Sequence, residues 1–305
     1  MTDDTAAAAP AAQHSALWAL PQPLLVLGAM LAVAIGAASG WAGTDTLTTA
    51  LLLAPVPVLM LAERLAPHRH DWMLDRRDFL EDVFWVASGL LIWVPIYDDY
   101  YDTPISDAFS ALREASGLPL QLAGDSVAGL MIAAFCAVLV SEFIYYWLHR
   151  LQHRTLLFWR IHGTHHHITR MSVARAQRTH PLEFLALNLG PAVTLALLGA
   201  SDDVAALVIV FLVWNGHLTH TNLPLKSGFW GWLFTTPQWH RLHHSLDRAE
   251  SDTNFGCSVI LMDRLFGTFS DRPEPERIGN GSGRALSIWS QLTLPFRSNE
   301  SLKTL

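Results

Sequence analysis

The chain is predicted to be all-α, a polytopic integral-membrane helical bundle of four to six spans with a histidine-rich helical cap on its cytoplasmic side. Three observations predict it. Of its 305 residues, 51% are hydrophobic and only 15% charged, against roughly a quarter charged in an ordinary soluble domain. Several apolar runs approach the roughly 20 residues that about 30 Å of hydrocarbon demands, a length that helices buried in soluble cores seldom reach. Finally, 12 of the 15 histidines fall between His149 and His244.

Taken in order, residues 1–23 form an Ala-rich, acidic tail without the basic start of a secretory signal peptide. Apolar stretches follow near Leu24 to Ala42, Leu47 to Ala62, Phe79 to Ile96, Val127 to Leu148, Glu183 to Gly199 and Val204 to His220. The last two are expected to be broken or shortened by Pro191 and Asn215 and are the marginal spans. Residues 24–140 therefore read as N-terminal membrane spans, 141–270 as the histidine-bearing domain, and 271–305 as a polar C-terminal tail. Arginine sets the expected orientation: Arg64, Arg69, Arg76 and Arg77 crowd one connection, and Arg150, Arg154, Arg160, Arg170, Arg175 and Arg178 another. Both belong inside by the positive-inside rule. Between them, Asp98 to Asp125 carries six acids against Arg113 and belongs outside. That alternation places both termini and the histidine clusters on the cytoplasmic side.

A net charge of -7 leaves no electrostatic footprint for nucleic acid. Two cysteines, Cys136 and Cys257, supply neither a disulfide framework nor a cysteine-rich zinc site. If a metal is bound, nitrogen and oxygen must hold it.

The histidines carry that possibility. His149 and His153 form an HxxxH pair at the end of the fourth apolar stretch, and helical residues four apart share a face. Alone, such a pair reads more naturally as interfacial histidines. It is followed by His162, His165 and His166 in HxxHH spacing, which His240, His243 and His244 repeat 78 residues later. His217 and His220 lie between, where the last apolar stretch returns to the cytoplasmic face, and ionisable groups at that depth are costly and usually functional. These ten candidate ligands are too many for one ion and natural for two. His180 reads as structural or supporting, and His167 as a spare. Imidazole suits Zn, Cu, Fe or Ni, so ligand type alone leaves the metal open. A zinc protease would show HExxH, and a soluble di-iron bundle ExxH; neither occurs here. A membrane metal transporter would place its ligands near the bilayer midplane, and a zinc-dependent membrane hydrolase would keep three ligands and an open position.

The order HxxxH, HxxHH, His-Thr-Asn, HxxHH resembles the fatty acid hydroxylase and sterol desaturase superfamily of integral-membrane, histidine-liganded di-iron enzymes. The likeness extends to Arg178-Thr-His-Pro-Leu-Glu183, to Asp252-Thr-Asn-Phe-Gly256 and to Asp263-Arg-Leu-Phe-Gly-Thr-Phe269, and covers roughly Ser141 to Phe269. It implies two Fe ions held by the histidines, O2 as co-substrate, and hydroxylation or desaturation of a C–H bond in a membrane lipid. It also implies electrons that come ultimately from NAD(P)H through a separate carrier, such as a ferredoxin, a rubredoxin or a cytochrome b5-like protein. Arg170, Arg175 and Arg178 are expected to dock an acidic carrier. Glu142, Asn222, Asp247, Asp252 and Asn254 are candidates to orient a ligand ring through its other nitrogen. Trp147, Trp159, Trp214, Trp230, Trp232 and Trp239 read as interfacial belt rather than substrate wall.

Overall fold

A computed structural model describes residues 15–117 and 119–303. The start of the N-terminal tail, with His14, lies outside them. The described residues are helical, without a named strand. Among the described residues, five helices are long and apolar enough to cross a membrane, or six if a bent pair counts as one span.

Helix α1 (Pro21–Ala38) starts on prolines at its first turn, where a missing N–H costs nothing. Helices α2 (Thr44–Leu53) and α3 (Pro55–Leu65) meet at a 44° bend. There Pro55 cannot donate back into the preceding turn. Helix α5 (Val127–Arg154) is capped by Ser126, whose Oγ accepts from Gly129 N–H, and ends on His153 and Arg154. A single extended residue, Thr155, separates it from α6 (Leu156–His166). The run α7 (Pro181–Leu198) and helix α8 (Asp202–Thr219) complete the spans. Helix α9 (Pro237–His243) carries the last histidine triad.

Two expectations about the spans need correction. The third apolar stretch does not end near Ile96: α4 runs from Arg76 to Ala115, through much of the acidic segment expected to be an outer loop. Wide π-turns at Gly89–Trp93 and Asp98–Asp102 precede Pro95 and Pro104, each of which opens a new helical segment, so the prolines redirect the rod without stopping it. Nor does Asn215 break α8. It is buried, accepts from Gln22 Nε2 at 2.9 Å and donates to the carbonyls of Thr235 and Ser258, so its amide is satisfied and ties α8 to α1. Pro191 has the expected effect, since the α7 run is interrupted at Asn188.

Large apolar side chains such as Leu24, Leu61, Leu91 and Ile132 face outward from the spans, an apolar surface a bilayer would cover. Inside, Val26, Met30, Ala134, Val138, Val208 and Phe211 pack α1, α5 and α8 into one core. At the histidine end the loops are tied by buried charge. Glu63 accepts from the N–H groups of Val173 and Asn222, both at 2.8 Å. Arg175 and Arg178, each 1% exposed, are paired with Asp78 and Asp82 of α4 at 2.6 and 2.8 Å. They are therefore no docking surface for an acidic carrier; their charge is spent holding the 170–178 loop to α4. Arg170 is paired to Asp78 as well, at 2.7 Å.

Helices α5 and α7 approach closely: a Cβ at Gly190 would lie 2.7 Å from Ser141 O. Gly190→Val is expected to destabilise the detergent-solubilised protein by about 1–3 kcal/mol in thermal denaturation, the usual cost of overpacking. Gly28→Val, where a Cβ meets nothing within 4 Å, is the control and should leave the melting temperature unmoved.

Candidate metal centre

Nine of the ten histidines singled out in the sequence converge into two buried groups: His149, His153, His162, His166 and His243, and His165, His220, His240 and His244. The ligating atoms offered within each group lie within 4.8 Å of one another. The HxxxH pair sits on the last turns of α5, the first HxxHH on the last turn of α6, and the second at the end of α9. His220 follows the last residue of α8. Because α5 and α6 are joined at one residue, their triad and pair fold against each other.

The tautomers decide what these rings can hold. His149 Nδ1 lies 2.5 Å from Phe255 O, His243 Nδ1 2.8 Å from Thr253 O, and His220 Nδ1 2.8 Å from Gly216 O. His162 Nδ1 lies 3.1 Å from Glu183 Oε1, and His153 Nδ1 3.3 Å from Asp252 Oδ1. Each partner only accepts, so each Nδ1 carries the proton and each Nε2 presents a lone pair. Yet His149 Nε2 lies 2.9 Å from His162 Nε2 and 3.1 Å from His243 Nε2. Lone pairs so close repel unless a cation lies among them. Protons are poor candidates: burial pushes His162 down to about 3, and burial followed by the neighbouring rings pushes His166, His243 and His244 well below the ordinary histidine range. Metal ions fit this donor set, and two groups fit two ions.

One short stretch braces much of the first group. Asp252, Thr253 and Phe255 offer their acceptors to three different rings, His153, His243 and His149. Asn254 between them adopts φ 54°, the left-handed conformation that asparagine tolerates better than most residues. Its side chain donates to Trp239 O and Ser270 O. Asp263 accepts from the N–H groups of Phe255 and Gly256 at 2.8 and 2.7 Å, and so fixes the stretch from behind.

Of the proposed ring-orienting residues, Asp252 alone touches a ligand ring. Glu142 accepts from Ser258 and Val259 N–H, Asn222 brackets the Arg69 backbone, and Asp247 caps a short helix. Glu183, which the sequence places at the start of a span and at the end of the Arg178–Glu183 motif but not among the ring-orienting candidates, holds His162 and is itself held by Gln152 Nε2 at 2.7 Å. The backbone carbonyls were missed entirely, because no side-chain pattern announces them. His217 stands outside both groups, donating to Val213 O and accepting from Gln177. His180 bonds Leu182 N–H and Leu292 O, and His167 meets Asn280, both away from the groups. Among the tryptophans, Trp147 and Trp232 face outward, whereas Trp159 lies 5.0 and 5.2 Å, between ring centroids, from His153 and His166. Those three residues, with Arg154, Arg248 and Asp252, line a cavity of about 180 Å³ behind the first group.

Comparison with known proteins settles the family. A family model described as "Fatty acid hydroxylase" matches residues 134–268. The ornithine lipid hydroxylase of Rhizobium tropici is 33% identical over 253 residues, 80% of this chain and 74% of that protein. The chain belongs to the fatty acid hydroxylase family. The human alkylglycerol monooxygenase is 27% identical over 179 residues, 56% of this chain and 37% of that protein. A putative methylsterol monooxygenase of Dictyostelium discoideum is 26% identical over 173 residues, 55% of this chain and 62% of that protein. The chain thus spans less than two thirds of either. No solved structure matches. As a fatty acid hydroxylase family member, the protein is an integral-membrane, oxygen-dependent lipid oxidoreductase, and the transporter and hydrolase alternatives find no support.

Glu183→Ala should weaken metal retention by about 10–100-fold, the usual cost of losing a ring-orienting partner; Glu183→Gln, which keeps an acceptor oxygen, should lose less in a chelator-competition assay. In metal-free protein, His162 stays neutral in the fold down to about 3 but takes a proton below about 6.5 when unfolded. For this group the unfolded state then binds more protons, so its contribution to stability is constant above that pH and is lost as pH drops from 6.5 towards 3; the fall in melting temperature over that window should be shallower in His162→Gln than in wild type.

Proposed function

We propose that the nine converging histidines hold two iron ions and that the enzyme hydroxylates or desaturates a C–H bond of a membrane lipid with O2. The observation that carries this reading is the crowding of tautomer-fixed imidazole lone pairs around the end of the α5 span. Redox chemistry with O2 favours iron over zinc among the metals that imidazole suits. When bound, the iron pair supplies O2 activation. Hydroxylation balances as one C–H bond, one O2, two electrons and two protons giving one alcohol and one water.

The chain's own residues do the rest. The groups are buried beside Phe255, Tyr145 and Trp159, which keep bulk water away from an oxidising centre. Glu183, Asp252 and the carbonyls of Thr253 and Phe255 hold His162, His153, His243 and His149 by their protonated nitrogens, so Nε2 of these four rings stays available. The lipid approaches from the bilayer, past the spans.

The electrons come from a separate carrier, a ferredoxin, rubredoxin or cytochrome b5-like protein. With Arg175 and Arg178 buried, its approach is better placed over the cavity where Trp159 backs His153 and His166. The arginine distribution supports a cytoplasmic placement of both termini and the histidine groups. Residues 141–270 serve as the catalytic unit, a span close to the matched 134–268.

The test is isotopic. Protein purified in mild detergent is given ¹⁸O2, a chemical reductant and the lipid extract of its host, and the lipids are read by mass spectrometry. A lipid gaining one ¹⁸O marks hydroxylation, and one losing two hydrogens marks desaturation. No lipid changed in either way, in protein carrying metal, would overturn the reading.

A further inference from the structure

His217 is left over by the metal centre. It is buried in α8, one turn before His220, in a largely apolar helix whose other buried polar groups, Asn215 and Thr219, have hydrogen-bond partners of their own. A histidine there has a high desolvation cost and calls for a use. Its ring is held at both nitrogens. Nδ1 lies 2.7 Å from Val213 O, which only accepts, so the proton is on Nδ1 and Nε2 is an acceptor. Gln177 Nε2, 3.1 Å away, must then be the donor. This fixes the amide: the opposite end of the Gln177 side chain is Oε1, and the usual ambiguity between amide O and N is removed.

Among the described residues the Gln177 side chain bonds through Nε2 and no protein donor meets Oε1, which is not sealed in, since Gln177 is only half-buried. It points toward α4, where a Cβ at Gly89 would lie 3.6 Å from it. Gly89 opens the first π-turn of α4, a widening found often at functional sites. So an oriented acceptor, an absent side chain and a helix distortion coincide between α4 and α8, one turn from a residue of the four-histidine group.

We propose that Gln177 is a substrate-positioning residue, its Oε1 accepting a hydrogen bond from an uncharged hydroxyl or amide N–H of the lipid, with His217 holding the carboxamide in that orientation. The proposal rests on the lipid-oxidising function and narrows its substrate to lipids with such a donor near the oxidised carbon. The donor chemistry is shared by alcohols and N-acyl lipids, and paired probes separate the two.

Metal-loaded protein in detergent micelles is titrated by equilibrium dialysis with N-palmitoylglycine against palmitoyl glycolate, which replaces N–H by oxygen, and with hexadecanol against its methyl ether. Wild type should bind the donor of one pair roughly fivefold more tightly than its partner, the typical net effect of one hydrogen bond. Gln177→Leu and His217→Leu should abolish that preference, and His217→Gln, which can still accept from Gln177, should restore it. Metal content should be the same in all four proteins. No preference in either pair, a preference that survives Gln177→Leu, or loss of metal in His217→Leu, which would make His217 a ligand, each overturns the proposal. Failure of the lipid-oxidising reading would show separately, as wild type that changes no lipid under ¹⁸O2 whatever its binding preference.

Discussion

The structure depends on one electrostatic constraint: neutral imidazoles whose lone pairs face each other at about 3 Å must be kept together in a dry interior. Left alone, such an arrangement would protonate or fly apart. Burial opposes protonation, and acceptors behind the rings oppose rotation. A metal ion removes the repulsion, so folding and metal binding stabilise the same geometry. Much of what surrounds the centre reads as a means to that end. The Asp252–Gly256 stretch faces three rings, Asp263 holds that stretch, and Glu183 reaches across from the next span.

The membrane spans provide the frame. Helix α5 carries two of the histidines out of the bilayer on its last turns, and α8 places His220 just beyond its end. The loops between are tied down by buried charge: Glu63 joins the chain just after the first histidine triad to the chain just after His220, and Arg175 and Arg178 lock onto α4. A buried pair is a weak source of net stability, but losing one partner leaves an uncompensated charge. The loop is therefore held in one place, with the Gln177 side chain set against His217.

The helical bundle and the histidine groups were legible because helix periodicity turns a local pattern into geometry. HxxxH and HxxHH put rings on one face, and apolar length marks spans. What was illegible was long-range or carried by the backbone. Glu183 is separated from His162 by 21 residues, and Phe255 serves through its carbonyl, which the identity of its side chain does not reveal. The arginines at 175 and 178 looked available because composition does not show that Asp78 and Asp82 neutralise them. Asn215 looked like a helix breaker because its partners, Gln22 and the carbonyls of Thr235 and Ser258, are far along the chain. His217 shares the spacing of a ligand but is turned to Val213 and Gln177.

The most direct test of the central claim is an anaerobic titration of metal-free protein with ferrous iron, followed by X-ray absorption at the iron edge. Two ions bound per chain, each with a first shell dominated by histidine nitrogen, is the result expected from the two groups of imidazoles. Saturation at one ion per chain, or a shell without imidazole, would contradict it.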